Sequence, residues 1–287
     1  MGALAQRLLL DSIGKLRRHG VTLPASLTGR IQKRFAVINV SGISKKRWIG
    51  RALRLLLGLL PRGLQVPILQ GPLRGYRWIV GSGVHGYWLG TYELQKQLVF
   101  SKSIKAGMVV FDVGAHVGFY TMLASVAVGD HGEVIAFEPF PENVDILRRH
   151  IAINNRRNVQ IVEAAVGDQN STGRFKRGGD SFTGRITENG DLSLPLVTLD
   201  DLVSTRAVRP PQVIKMDIED GEYDALVGAQ NLLKTCRPQI FLSTHGPDVH
   251  TKCISLLQAM GYDLVPLHGS LESTDELIAS FPPRRDS

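Results

Sequence analysis

The chain is poor in cysteine, with two among 287 residues, Cys236 and Cys253. They are too few and too far apart for a CxxC metal or redox pair. Both read as packing residues, Cys253 on the apolar stripe Val249, Cys253, Leu256, Leu257 and Met260 of an expected helix. Such scarcity fits a reducing, cytoplasmic setting. Long hydrophobic runs are missing too. The run from Leu53 to Leu60 is far shorter than the ~20 residues a membrane-spanning helix needs. The first ten residues carry a short apolar run without a signal peptide's small-residue cleavage site. Gln6 stands where a myristoylation signal has Ser or Thr. Acid is nearly absent from one end: up to Trp78, fifteen Lys and Arg face only Asp11, whereas the whole chain has a net charge of +8. The remainder is therefore mildly acidic. Basic asymmetry of this kind suits an anionic partner, such as a membrane surface touched peripherally, a nucleic acid or a phosphorylated carrier. Residues 48–60 could lie on a membrane as a basic amphipathic helix, or pack on the main domain; a solvated arm is the plainer reading.

The pattern divides the chain in two. Residues 1–74 read as a basic helical N-terminal extension broken by Gly20, Pro24, Gly42 and Pro61. Residues 75–287 alternate strand and helix. Tyr76–Val80 opens with a strand, and a helix over 94–100 leads into the core. Val109-Val110-Phe111-Asp112 is a continuous apolar run ending in an acid and then glycine, which suits a buried parallel strand. A helix over 120–128 follows, then a strand over 134–138. Pro141 sits where the first turn of a helix accepts it, with Val144, Leu147, Ile151 and Ala152 as the apolar face. A third strand spans 159–166. An irregular stretch over 167–211 holds a hairpin around Asn189-Gly190-Asp191. Strands at 213–217 and 239–243 then alternate with one helix carrying Ala225, Leu226, Ala229, Leu232 and Leu233, and with the Cys253 helix. Segments 262–266 and 277–281 close the domain as an antiparallel pair. This alternation implies an α/β fold with a mainly parallel sheet.

In such a sheet ligands bind at the carboxyl ends of the strands, near a topological switch. The first strand–helix turn, Asp112-Val113-Gly114-Ala115-His116-Val117-Gly118, is therefore the expected cofactor loop. Gly114 and Gly118 admit close backbone approach, and the following helix start offers free N–H groups. The loop lacks the GxGxxG of dehydrogenases, because Ala115 and His116 interrupt it. Asp112 would repel a pyrophosphate and attract the positive sulfonium and ammonium of S-adenosylmethionine. Glu138 ends the second strand about twenty residues on, where an acid accepts the ribose hydroxyls; this holds for NAD and for S-adenosylmethionine alike. By topology, the turn after the third strand, ending at Asp168, borders adenine.

These residues resemble a known family. Phe111 to Thr121 looks like the first motif of the FkbM-type methyltransferases, and Phe137-Glu138-Pro139 like their second. Val197-Thr198-Leu199-Asp200-Asp201-Leu202 and Ile214-Lys215-Met216-Asp217-Ile218-Glu219 are similar to two further blocks, and Gly90-Thr91-Tyr92-Glu93 to a Gly-x-Tyr-Glu element. The resemblance covers residues 75–281. It implies a class I methyltransferase (Rossmann-like) fold, a mainly parallel seven-stranded sheet with helices on both faces. It also implies S-adenosylmethionine as cofactor and O-methylation of a sugar, glycolipid or natural-product hydroxyl. The cofactor residues it implies, with the loop, are Glu93, Asp112, Gly114, Ala115, His116, Gly118, Thr121 and Glu138; topology alone adds Asp168. One departure stands out. The family's Asp-x-Glu-Gly-x-Glu reads here as Asp217-Ile218-Glu219-Asp220-Gly221-Glu222, as if the glycine were displaced by one.

Methyl transfer from a sulfonium is an in-line displacement, so alignment and desolvation do most of the work. A hydroxyl acceptor also benefits from a general base. Asp217, at the end of a central strand, and His245, after the fifth strand, are the candidates. The same pair, with Asp248 and His250, could instead hold a divalent ion, although no spacing here is diagnostic of metal. Ser181, Phe182, Thr183 and Arg185 could shape an acceptor pocket. An RNA methyltransferase using the basic arm and a non-catalytic nucleotide-binding protein are the rival readings; the chain has neither an Asn-Pro-Pro-Tyr-type motif nor a catalytic cysteine motif.

Overall fold

The computed structural model describes residues 57, 60–177, 184–186 and 190–282. Most of the expected basic arm lies outside them, including all of the 48–60 segment except Leu57 and Leu60, as do Ser181, Phe182 and Thr183. The elements run β1 (Gln65–Pro67), β2 (Arg77–Ile79), α1 (Gly86–Leu89), α2 (Leu94–Ser103), β3 (Val109–Val113), α3 (Phe119–Val128), β4 (Glu133–Phe137), α4 (Pro141–Ile153), β5 (Val159–Val162), β6 (Ala165–Val166) and β7 (Ser171–Arg177). They continue with β8 (Gly184–Ile186), β9 (Leu192–Val197), α5 (Leu199–Ser204), β10 (Val213–Met216), α6 (Glu222–Val227), α7 (Gln230–Cys236), β11 (Gln239–Ser243), α8 (Pro247–Ala259), β12 (Asp263–Pro266) and β13 (Glu276–Ser280). No described helix is long and apolar enough to cross a membrane.

Seven strands form the central sheet in the order β12-β13-β11-β10-β3-β4-β5. Only β13 runs antiparallel to its neighbours, closing one edge as the residue pattern suggests. The chain lays β3, β4 and β5 outward in one direction, then returns to place β10 on the other side of β3. That reversal opens a crevice at the carboxyl ends of β3 and β10. The period-two alternation of β3 feeds two separate cores. Val109, Phe111 and Val113 pack with Leu226, Leu233 and Leu257 of the later helices. Val110 packs with Phe100, Met122 and Leu123 of α2 and α3 on the opposite face. Both faces are therefore covered, which is why β3 and β10 are buried along their whole length.

Three expectations need correction. The strand expected over 159–166 is two strands. The chain turns tightly at Ala164, whose N–H donates to the Val162 carbonyl, and β6 leaves the main sheet to pair with β9. The stretch after it is not irregular but a second sheet, ordered β6-β9-β7-β8. Within it β9 pairs with β7, not with β8 across Asn189-Gly190-Asp191. Finally, the helix carrying Ala225 to Leu233 is broken into α6 and α7 at Gly228. A Cβ there would lie 2.0 Å from the Gly167 carbonyl oxygen, so two segments meet backbone to backbone.

The β1–β2 hairpin spans the expected boundary at residue 74, pairing Val66 with Trp78. Trp78 is buried and stacks on His150 of α4, ring centroids 3.7 Å apart. The Asn154 side chain accepts from the Arg77 N–H (2.7 Å) and donates to the Arg77 carbonyl (2.9 Å), giving β2 an artificial neighbour strand.

Candidate functional site

The β3–α3 loop is fixed by the end of β4. The N–H groups of Gly114 and Ala115 both donate to the Phe137 carbonyl, at 3.1 and 2.9 Å. The His116 N–H donates to Glu138 Oε2 at 2.8 Å, with His116 in the left-handed region at φ 52°. Gly114 has φ 79°, and a Cβ on it would stand 2.0 Å from the Asp217 carbonyl oxygen. No other residue type lets β3 and β10 converge this closely as they leave the sheet. Beside this loop lies a cavity of about 370 Å³. Gly114, Ala115, His116 and Glu138 line it, as does Asp217.

The remaining expected residues serve the cavity from behind or stand away from it. Asp112 is fully buried on the face opposite Val113 and is absent from the lining. It accepts a 2.6 Å hydrogen bond from Thr121 Oγ1, and Lys215 Nζ lies 3.3 Å from its other oxygen. Asp112 and Lys215 are register partners across β3 and β10, so the strand pairing itself brings them together. The expectation that Asp112 faces a cationic cofactor is thereby corrected: strand alternation turns it under α3, where Lys215 balances it. Thr121 anchors Asp112 and does not reach the cavity. Gly118 begins α3 and lies against Leu147. Glu93 sits behind the lining, accepting from Tyr120 OH at 2.8 Å. Asp168 is exposed and outside the lining, because β6 carries the chain away toward Gly228; Ala164, Ala165 and Val166 form the wall instead.

Glu138 ends β4 nearly buried. Its Oε1 accepts from the Phe140 N–H and Asn143 Nδ2, both at 3.0 Å. Burial pushes its carboxyl up, and the hydrogen bonds from Asn143, Phe140 and His116 only partly offset that. Asp217 behaves oppositely. Burial raises it, but Lys215, Lys96 and His245 together outweigh this and hold it below the ordinary carboxylate range. His245 stands outside the lining. Its Nδ1 lies 2.7 Å from Glu222 Oε1, and its Nε2 is 3.6 Å from Asp217 and 3.8 Å from Glu219. The hydrogen bond to Glu222, with these carboxylates nearby, pushes His245 up to about 9. At neutral pH it is an imidazolium that holds acids in place, which leaves it no lone pair for base work.

Reading residues in isolation missed Lys96 and Lys215. Lys96, 3 % exposed, comes from α2; its Nζ donates to Glu276 Oε1 at 2.6 Å and to Ser243 Oγ at 2.7 Å, with Glu93 at 3.4 Å and Asp217 at 4.0 Å. Lys215 Nζ also donates to the Gly114 carbonyl at 2.8 Å. A lysine inside a strand buried on both faces is itself a signal, since such a charge survives only when paired. The aromatic wall is the other omission. Tyr87, Tyr92 and Tyr120 line the cavity, and burial with Glu93 nearby drives their hydroxyls upward, so they stay neutral. Phe140 and Phe175 meet edge to face at 6.0 Å and bring the second sheet into the lining.

The turn after β10 settles the departure from the family pattern. Glu219 and Asp220 both have positive φ, 56° and 77°, while Gly221 has φ −90°. Asp220 thus occupies the left-handed position that glycine would favour, and nothing is inserted. Asp217, Glu219 and Glu222 keep their register. Among the described residues, no group of three or more His, Cys, Asp or Glu is arranged to hold a metal ion. His250 is committed elsewhere, with its ring nitrogens at 2.8 Å from Thr244 Oγ1 and 2.6 Å from the Leu271 carbonyl.

The family model described as the Methyltransferase FkbM domain matches residues 112–264, which run from the base of the loop into β12. The chain belongs to the FkbM methyltransferase family. A curated relative, the hexuronic acid methyltransferase AglP of Haloferax volcanii, is 27 % identical over 131 residues, 44 % of this chain and 52 % of the relative. The chain therefore spans about half the length of the relative it matches. Among solved structures, the FkbM methyltransferase of Methylobacillus flagellatus is 19 % identical, with a TM-score of 0.44, covering 61 % of this chain and 44 % of that one. An S-adenosylmethionine-dependent O-methyltransferase of Thermotoga maritima is 12 % identical, with a TM-score of 0.44 over 79 % of this chain and 80 % of that one. For this FkbM domain the strand order itself establishes the class I architecture. The donor set fits the family's cofactor, S-adenosylmethionine: an acid at the end of β4 for ribose hydroxyls, an apolar wall at Ala164–Val166 for a base, and carboxylates beside β10 for positive charge.

Proposed function

We propose that this protein is an S-adenosylmethionine-dependent methyltransferase that methylates a hydroxyl of a sugar, glycolipid or natural product. One observation carries the reading: Glu138 and Asp217 open onto the same cavity, at the carboxyl ends of adjacent branches of the sheet. The Haloferax relative, a hexuronic acid methyltransferase, supports the sugar class. Glu138 receives the ribose hydroxyls, while Gly114 to His116 let the backbone approach the cofactor. Ala164, Ala165 and Phe140 exclude water from the base. When bound, S-adenosylmethionine supplies an electrophilic methyl group.

Asp217 is the residue placed to accept the acceptor's hydroxyl proton. It lines the cavity and stays ionised, with Lys96 at 4.0 Å and His245 at 3.6 Å as its neighbouring cations. A carboxylate held this low is a weak base, so it orients the hydroxyl and takes its proton only as the new bond forms. The test has two parts. Calorimetry should show S-adenosylmethionine binding weakened roughly tenfold or more by Glu138→Gln, the scale of a lost charged hydrogen bond. Transfer of labelled methyl to a hydroxyl acceptor should fall at least a hundredfold in Asp217→Asn, well beyond any weakening of cofactor binding measured alongside by calorimetry. Full turnover in Asp217→Asn across pH would remove it as the base, and label entering RNA instead of a glycan would overturn the acceptor class.

A further inference from the structure

Resting on that reading, we propose that Glu222 is a positioning residue: paired with His245, it holds the turn after β10 in the shape in which that turn lines the cavity. Asp217, Ile218, Glu219, Asp220 and Gly221 all belong to the lining, so five consecutive residues of the turn border the ligand space. The shape is not one they take by preference. Glu219 and Asp220 stand in succession at φ 56° and 77°, where an L side chain crowds its own backbone. Contacts from outside the turn must offset that. Glu222, the first residue of α6, makes two. Its Oε1 accepts from the Ile218 N–H at 3.1 Å, in the middle of the turn, and from His245 Nδ1 at 2.7 Å. The Glu222 side chain is fully buried and stands outside the lining. Among the described residues its Oε2 has no hydrogen-bond partner. A carboxylate this desolvated persists when a cation is paired with it, and His245 is placed to be that cation.

His245 ties the turn to the same point from its other nitrogen. Its Nε2 lies 3.6 Å from Asp217 Oδ1 and 3.8 Å from Glu219 Oε2. One imidazolium thus faces the first and third residues of the turn and the residue that follows it. The charged groups around it are Glu222 of α6 with Asp217 and Glu219 of the turn; Asp220 comes within 3.9 Å of a Cβ placed on Gly246, the next residue. Lys215 of β10, Lys96 of α2 and His116 of the cofactor loop act on Asp217 as well. Cys253 of α8 feels Glu222, its thiol pushed up to about 12 and therefore neutral. When the His245 ring loses its proton, near pH 9, three carboxylates face an uncharged imidazole. Their mutual repulsion then adds to the backbone strain instead of opposing it. Without the Glu222 charge the ring gives up its proton at lower pH, nearer the ordinary histidine value.

Binding of S-adenosylhomocysteine to the full chain, followed by calorimetry from about pH 6 to 10, tests this without an acceptor. The ligand's own titration is common to every variant, so the comparison is between proteins. In the parent, affinity should fall roughly fivefold or more across a midpoint near pH 9. Glu222→Gln keeps an oxygen for the Ile218 N–H and should move that midpoint down by about one pH unit or more. The double variant Glu222→Gln/His245→Gln should show no midpoint beyond the ligand's own. A second readout needs no variant: in the parent, exchange of the Ile218 N–H with solvent, corrected for its intrinsic pH dependence, should lose protection roughly tenfold over the same rise in pH. A midpoint that Glu222→Gln leaves in place, one that survives in the double variant, or Ile218 protection that is constant through pH 9 overturns the positioning role alone. Failure of the parent to bind S-adenosylhomocysteine at any pH overturns the cofactor reading and this inference with it.

Discussion

Replacing Lys96 by methionine tests whether the site is built on a buried charge network. The substitution keeps the unbranched stem that fills the space between α2 and the sheet, but removes the ammonium. Three carboxylates then lose their shared partner: Glu276 at 2.6 Å, Glu93 at 3.4 Å and Asp217 at 4.0 Å. Removing one member of a buried ion pair typically costs about 3–5 kcal/mol. The acids here keep 16 %, 27 % and 25 % of their side-chain surface in water, whereas Lys96 keeps 2 %. The expected loss therefore falls below the range for full burial, at about 2–3 kcal/mol. Urea unfolding at pH 7 measures it. The double variant Lys96→Met/Glu276→Gln should recover at least about 1 kcal/mol of the loss, because the nearest orphaned charge is gone. Methyl transfer offers an independent readout: without Lys96 the Asp217 carboxyl rises, and the acid limb of the pH–rate profile moves to higher pH. A single variant within about 0.5 kcal/mol of the parent, or strictly additive effects of the two substitutions, would refute the reasoning.

Two further predictions concern the frame of the site. Gly114→Ala places a Cβ 2.0 Å from the Asp217 carbonyl oxygen at φ 79°, so it should destabilise by more than about 2 kcal/mol and abolish cofactor binding in calorimetry; binding within twofold of the parent would show that β3 and β10 can separate without consequence. His150 is held neutral, pushed down to about 4 by burial, with Nδ1 2.7 Å from the Val117 carbonyl and Nε2 accepting from the Ile79 N–H at 3.2 Å. Since the unfolded ring takes its proton near 6.5, the folded state binds fewer protons between 6.5 and 4. Its contribution is thus complete above 6.5 and declines, by up to about 3 kcal/mol, as pH falls to 4; urea unfolding of His150→Phe should show a shallower pH slope over that window than the parent does.

The fold was legible because its signals are local. Continuous apolar runs at Val109 and Val213, the glycine turn after β3 and Pro141 at a helix start each declare an element without reference to distant residues. The breaks at Ala164 and Gly228 were not legible, because each depends on a partner far along the chain. Ala165 and Val166 look like the tail of β5 until β9 is present to take them. Gly228 looks tolerable inside a helix until the Gly167 carbonyl presses on it.

The site divides the same way. The loop from Gly114 to His116, together with Glu138 and Asp217, could be named from the chain alone, since strand ends and glycine turns are where a parallel sheet binds ligands. The sequence by itself thus determined the class of domain and the position of its cofactor crevice. What each acid does there depended on register and face. Strand alternation turned Asp112 away from the cavity and set it opposite Lys215, leaving Asp217, one residue beyond β10, at the opening. Long-range packing brought Lys96 from α2 to Ser243 and Glu276, and put His245 against Glu222, outside the cavity lining. Charges interact through space over a few ångströms, and only tertiary structure sets those distances.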